Sequence, residues 1–249
     1  MSFIDPVMNP LLQLNPFLSL IIITVFVSLF VTIVYKYTTN QKRMKELREE
    51  AKKYQQEMKD AKNDSQRMLQ IQKKAMASNL ETMKHSFKST LYTFIPLILL
   101  LAWLNGHFAY HPIMPGEEFS ITTTFKEGTL GEVSLQAPEL QVLSPQTQNI
   151  SSGGTATWKL KGKEGPSIVT ILYRDESYKQ TILITAQKAY EIPLQKVSDS
   201  KLQQINTDLA PMKPIDPYTL FGWRPGWFIT YIVLSLIFTT LFRKILGVY

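Results

Sequence analysis

Three stretches of this chain carry no charged side chain: Pro6 to Tyr35, Ser89 to Gly116, and Pro225 to Phe242. A helix needs about 20 mostly apolar residues to cross a hydrocarbon core about 30 Å thick. One window in each stretch meets that need. Phe17 to Tyr35 reads FLSLIIITVFVSLFVTIVY. Leu91 to Tyr110 is interrupted by Pro96 and turns polar at Asn105, Gly106 and His107. Trp227 to Phe242 lies at the short end, and Trp223 and Trp227 stand at its start as interface anchors. A span that short obliges the bilayer to thin or its own flanks to adjust.

Between the first two spans the rhythm is that of a polar helix. Lys42 to Lys88 contains neither Pro nor Gly and is mostly Lys, Glu, Gln, Met, Ala and Leu, all good helix formers. Met44, Leu47, Ala51, Tyr54, Met58 and Ala61 recur at spacings of 3 and 4, the seam of a coiled-coil-type helix. Asn63, Asp64 and Ser65 then supply turn and cap chemistry. A second series, Leu69, Gln72, Met76, Leu80, Met83 and Phe87, resumes the spacing. Together they predict an antiparallel hairpin of two helices, each about 20 residues and about 30 Å long.

After Pro115 the rhythm becomes alternating. Phe119–Phe125, Glu132–Gln136, Thr155–Lys161, Ile168–Arg174 and Lys179–Thr185 read as strands, with turns at Gly153-Gly154, Gly165-Pro166 and Arg174 to Ser177. Short strands at this density predict a small antiparallel sandwich or barrel, immunoglobulin-like without its disulfide. From Ser198 to Trp223 the chain is polar and proline-bearing and reads as a tether. The predicted fold is an α-helical membrane protein of three transmembrane helices with a cytosolic antiparallel helical hairpin and an inserted extracytoplasmic β-sandwich-like domain. Its parts are 1–35 (outer N-terminus and first span), 36–88 (hairpin), 89–110 (second span), 111–198 (β-rich domain), 199–224 (tether) and 225–249 (third span and tail).

Charge gives this arrangement a direction. The 249 residues carry a net +7, with a pI near 9.4 and a mean hydropathy of -0.06 that averages apolar spans with very polar segments. Residues 36–88 hold 14 basic and 7 acidic side chains, Arg243 and Lys244 follow the third span, and residues 110–224 are nearly neutral. The positive-inside rule predicts the N-terminus outside, 36–88 in the cytosol, 110–224 outside and the C-terminus inside a cell membrane. No basic residue precedes the first span, which argues against a cleaved signal. Zero cysteines exclude disulfides, thiolate catalysis and Cys-ligated metals. Asn149-Ile150-Ser151 is a glycosylation sequon on the outer side, and Asn63-Asp64-Ser65 is a second one on the cytosolic side.

No nucleotide loop, zinc spacing, nucleophile elbow or intramembrane protease motif is present, so neither an enzyme nor a cofactor is expected. His107 and His111 are spaced i,i+4 but lack an acidic neighbour and read as interfacial residues rather than a metal pair. The spans contain instead a hydroxyl stripe. Thr24, Ser28 and Thr32 recur every four residues and stay within about 80° of one face, and Ser235 and Thr239 repeat the spacing in the third span. Such residues pack helices closely in lipid. Alternatively, with Asn105, they line a half-hydrated groove open to the cytosol. Five methionines (Met44, Met58, Met68, Met76 and Met83) either fill the hairpin seam or greet hydrophobic segments. Lys52, Lys53, Lys59, Lys62 and Arg67 at the tip are either a solvated face or a contact for ribosomal RNA or anionic lipid.

This order of parts resembles the YidC-like membrane insertase superfamily. The closing stretch GWFITYIVLSLIFTTLFRKILGVY, with Gly226, Trp227, Tyr231, Ser235, Arg243, Lys244 and Leu246, is most similar to its archaeal branch, itself similar to the insertase subunit of the endoplasmic reticulum membrane complex. The likeness covers about residues 1–105 and 218–249. It implies insertion of nascent membrane proteins from the cytosol through a hydrophilic groove, with the hairpin touching client, ribosome or targeting factor, in a lipid bilayer and without DNA. Two features depart from it. The arginine that bacterial members carry in the groove has no counterpart in the first span, and residues 110–224 far exceed what a three-span core needs. The rival classes are a structural or adhesion protein whose outer domain binds an envelope component, and a channel, for which no charge ring or carbonyl filter appears.

Overall fold

A computed structural model describes residues 5–62, 64–150, 154–198, 200–219 and 221–248. Among them are helices α1 (Asp5–Leu12), α2 (Pro16–Thr38), α3 (Gln41–Asp60), α4 (Ser65–Phe108) and α5 (Trp227–Leu246). The strands are β1 (Glu118–Phe125), β2 (Gly131–Gln136), β3 (Gln141–Val142), β4 (Thr147–Ile150), β5 (Thr155–Lys161), β6 (Gly165–Tyr173), β7 (Glu176–Ile184), β8 (Leu194–Lys196) and β9 (Leu202–Thr207). The chain divides into a helical unit, 17–102 with 228–249, and a β unit, 1–16 with 103–227. Three helices, α2, α4 and α5, are long and apolar enough to cross a membrane.

In the helical unit, local chemistry sets the helix ends. Pro16 opens α2, where its missing N–H costs nothing. Asn40 caps α3 by accepting from the Arg43 amide at 3.1 Å, and Asp64 caps α4 by accepting from the Arg67 amide at 3.0 Å. Asp64 thus performs the expected capping, while Asn63 lies outside the described residues. Gly247, at φ +61, ends α5, and the Val248 amide reaches back to the Arg243 carbonyl at 2.9 Å, a Schellman closure.

Two expectations for this unit are corrected. The second hairpin helix and the second span are one element: α4 runs unbroken for 44 residues, about 66 Å at 1.5 Å per residue, and passes through Pro96. From residue 65 to 95 nothing in the sequence can stop a helix. The inward face of α4 also differs from the predicted seam. Leu69, Met76, Leu80, Met83 and Phe87 are all more than half exposed. The stripe turned inward is Ile71, Ser78, Thr82, Ser89, Thr93 and Leu100, alternating steps of 7 and 4. On α3 the expected seam residues Met44 and Leu47 are buried. Side-chain bonds from Arg43 to Glu81 and from Ser78 to Glu50 step in opposite directions along α3 and α4, so these segments run antiparallel.

The β unit is a sandwich of two antiparallel sheets, ordered β3-β5-β1-β9-β8 and β4-β2-β6-β7. Alternation places Ala156, Trp158 and Leu160 of β5 inside, with Thr155, Thr157 and Lys159 outside. Their partners are set by register: Ile121 of β1 faces Trp158 on one side and Thr207 of β9 on the other. Val133, Leu135, Val169, Ile171, Tyr173, Ile182 and Ile184 close the core from the second sheet. Trp158 satisfies its indole N–H on the Gln146 carbonyl at 3.0 Å, so a large polar-tipped ring is buried without loss.

The five predicted strands form, with small shifts at their ends, but the tether is shorter than expected. Residues 202–207 are β9, inside the sheet beside β1, and Leu202 and Ile205 belong to the core. Gly165-Pro166 begins β6 rather than turning. Pro166 pairs only with β7, because β2 meets β6 at Thr170–Tyr173, so its missing N–H breaks no ladder. The β6–β7 turn is the two residues Arg174 and Asp175, with Arg174 at φ +54. Gly153 of the expected Gly153-Gly154 turn and Ser151 of the first sequon lie outside the described residues. Asn149 is exposed on β4. The chain entering and leaving the unit pairs through Tyr110 and Pro211, supported by His111 and Met212 amide bonds to Ala210 and Ala109.

Candidate functional site

The helical unit contains a cleft of about 1010 Å³. One wall is α4, which presents Thr82, Ser86, Ser89, Thr90 and Thr93. These hydroxyls recur at steps of 3, 4 or less because a helix repeats every 3.6 residues, and they sit where the sequence passes from the basic run into the apolar one. Thr82, Thr90 and Thr93 donate to carbonyls four residues back, at 3.0 to 3.1 Å. Each is thereby satisfied within its own helix while its oxygen can still accept from a guest. Val31 and Tyr35 of α2, Met44, Leu47 and Ala51 of α3, and Val248 supply apolar surface opposite.

Cations gather at the cleft. Arg48 of α3 and Arg243 and Lys244 of α5 line it, and among the described residues none has a carboxylate partner. Arg243 lies over the Tyr35 ring at 4.7 Å, a cation–π contact that holds it at the wall. The Tyr35 hydroxyl is 3.5 Å from Ser86 Oγ. Lys36 donates to the Leu246 carbonyl at 3.1 Å and so covers the C-terminal end of α5. Arg43 contrasts with these. It bonds Glu81 through two parallel 2.8 Å contacts and also reaches Glu46 and Glu50, and the Glu81 carboxylate pushes its guanidinium still further above its ordinary value. Glu46, Glu50 and Glu81 are therefore committed to Arg43 rather than to the cations lining the cleft.

The hydroxyls expected to line a groove are elsewhere. Thr24, Ser28 and Thr32 are at most 2 % exposed and contribute nothing to the cleft wall. Thr24 and Thr32 donate to Leu20 and Ser28 carbonyls at 2.6 Å, and Ser28 Oγ is buried without a partner among the described residues. They are packing residues in this structure. Ser235 is half-buried and donates to Ile232 at 2.8 Å, and Thr239 is half-buried as well. Neither lines the cleft, whereas the adjacent Thr240, rotated by about 100°, does. Asn105 belongs to the β unit, is exposed, and accepts the Tyr190 hydroxyl on its carbonyl.

At the α3–α4 turn, Lys52, Lys53, Lys59, Lys62 and Arg67 are all exposed, and Lys53 approaches Glu57 at 3.9 Å. Met58 and Met68 are half-buried and Met76 is 59 % exposed, so this turn does display methionine beside lysine. Sequence reasoning missed the α4 hydroxyls; their signal was the KSTLYT run, whose hydroxyls continue the spacing of Thr82 and Ser86. His107 stacks on Trp103 at 4.4 Å and its Nδ1 lies 2.8 Å from the Trp103 carbonyl. Among the described residues no three His, Asp or Glu side chains gather as a metal site.

A family model described as integral membrane protein EMC3/TMCO1-like matches residues 2–137, through the end of β2. Comparison with curated proteins and with solved structures returned no match.

Proposed function

This chain belongs to the EMC3/TMCO1-like family of integral membrane proteins, and from that premise we propose that it inserts client transmembrane segments into the bilayer from the cytosol, without catalysis. The cleft carries this reading. It combines hydroxyls from α4, apolar side chains from α2 and α3, and cations from α3 and α5 that have no carboxylate partner among the described residues. A charged residue at the centre of a bare helix costs about 2.5–3.5 kcal/mol on insertion scales. A polar flank resting against Thr90, Ser86 and Arg243 keeps partners for its lone pairs and protons while the client's apolar segment moves into lipid.

In this reading the N-terminus is outside, α3 and the first half of α4 form a cytosolic hairpin, and the C-terminus is cytosolic. The 14 basic residues of 36–88 support that orientation. The exposed Lys59, Lys62, Arg67 and Met76 then make the first contact with nascent chain, ribosome or targeting factor. A second reading, in which the sandwich binds an envelope component, is favoured by that domain's own complete core. Deletion of the sandwich separates the two readings, since insertion survives only under the first.

The direct test is site-specific photocrosslinking to stalled nascent membrane proteins. A crosslinker at Thr90 or Ser86 is expected to capture the client segment, and one at the buried Ser28 is not. Capture at neither cleft position, with the protein folded and the nascent chain engaged, overturns the reading.

A further inference from the structure

Just ahead of α5, the β unit ends in a loop whose aromatic side chains Tyr218, Phe221 and Trp223 are each more than half exposed. Tyr218 is 77 % exposed, Phe221 101 % and Trp223 55 %. These are not lipid-facing residues of a span, since α5 begins only at Trp227. The described residues around these rings nevertheless have a built shape. Asp216 and Tyr218 amides close turns on Lys213 and Ile215 at 3.0 and 2.8 Å, and Arg224 pairs with Asp216 at 3.5 Å. Phe221 sits at φ +52 and Gly222 at φ +79, and a bulky residue in the left-handed region is uncommon. The backbone thus turns the Phe221 ring fully outward, where exposure to water is the least favourable outcome for a benzyl group.

Chain length says what covers it. Trp227 is six positions beyond Phe221, so the Phe221 Cα cannot lie more than about 20 Å from the start of a membrane-spanning helix. Tyr and Trp favour the headgroup region, where an apolar ring and a polar tip are both satisfied. We propose that Tyr218, Phe221 and Trp223 form a lipid-binding surface, inserting Phe221 into the headgroup–acyl boundary beside α5, with Tyr218 and Trp223 at headgroup level. The loop then sets the depth at which α5 enters the bilayer. The proposal does not depend on the insertase reading.

The chain has no cysteine, so single labels are clean. Full-length F221C and Y218C proteins carrying an environment-sensitive fluorophore are reconstituted into phosphatidylcholine vesicles, with I168C on the exposed face of β6 as the aqueous reference and L236C on α5 as the membrane reference. Both substituted loop residues are exposed, so neither change disturbs a core. The expected result is a blue-shifted emission at 221, severalfold stronger quenching by headgroup-level nitroxide lipid than at 168, and severalfold weaker quenching by iodide supplied on both sides. At 218 the same pattern is expected with a smaller shift. Iodide access at both loop positions equal to that at 168 overturns the proposal. So does quenching at 221 by mid-chain nitroxide equal to that at 236, because that result places the ring inside the span.

Discussion

Arg43 on α3 and Glu81 on α4, 38 residues apart in sequence, meet in a bidentate ion pair with both N···O distances at 2.8 Å. The geometry is the fork-on-fork arrangement in which guanidinium and carboxylate planes match, and Glu46 and Glu50 reach the same guanidinium. The pair joins the face of α4 that looks toward α3. Ser86, Thr90 and Thr93, which line the cleft, follow it on the same helix.

Removing that clasp is expected to loosen the α3–α4 register. In E50C/S78C protein, whose parent side chains bond at 3.3 Å, bridging of the two thiols by a short bismaleimide should be efficient with Arg43 in place, slower in R43A, and restored by the charge exchange R43E/E81R. Unchanged crosslinking in R43A would show that apolar packing of Met44 and Leu47 sets the register alone.

Filling the cleft should block function without unfolding the protein. S86L and T90L are expected to slow insertion of clients with polar flanks at least severalfold while clients with short neutral flanks are less affected, as read by protease protection in proteoliposomes. T239L, adjacent to the lining Thr240 but outside the cleft, is expected to behave as the parent.

Ser28 gives the converse case. Its hydroxyl is buried and unpartnered among the described residues, so S28A relieves a desolvation penalty of about 1–3 kcal/mol and should leave stability equal or higher. S28L should cost about 1–3 kcal/mol through overpacking. Thermal unfolding in detergent distinguishes these outcomes, and S28A should leave insertion unchanged.

Gly154 accepts the Phe125 amide at 2.6 Å while at φ +64, and a Cβ there would stand 3.0 Å from the Phe125 carbonyl oxygen. G154A is expected to destabilise the sandwich by about 1–2 kcal/mol, the cost of a left-handed L-residue. Hydrogen exchange at Phe125 should accelerate accordingly.

Hydrogen bonds from Tyr178 and then Ser200 hold the Glu176 carboxyl below its usual range. A lowered folded-state value contributes stability above the unfolded value, and this is lost as pH falls through the folded one. The difference in unfolding temperature between parent and E176Q should be largest near neutral pH and should close in the acid range. A constant difference from pH 7 to pH 3 would show that the contact has no pH-dependent part.

Part of this architecture was readable because it depends on local composition. Whether about 20 residues prefer lipid is a property of those residues, so α2, α4 and α5 stand out in the bare sequence. Alternation in TATWKLK predicted a half-buried strand because side chains on a strand alternate faces, and β5 forms over those same residues. Capping at Asp64 was equally local. In contrast, β9 reads as polar linker, LQQINT, and is a strand only because β1 and β8 offer it partners. The two residues of β3 and three of β8 exist for the same reason.

The candidate site was the least legible part. An apolar stripe on a soluble helix points at its core, and applying that rule to α4 selects Leu69, Met76, Leu80, Met83 and Phe87, which face outward here. The sequence by itself determined the three candidate spans found among the described residues, the helical character of most of residues 41–108 and most of the sandwich, because transfer free energy, helix propensity and strand alternation act over neighbouring residues. Only the tertiary structure decided that Thr24, Ser28 and Thr32 are sealed while Ser86, Thr90 and Thr93 bound a cleft. That choice is a rotation of each helix about its own axis, and it goes with contacts such as Arg43–Glu81 and Arg243–Tyr35, whose members lie far apart in the chain.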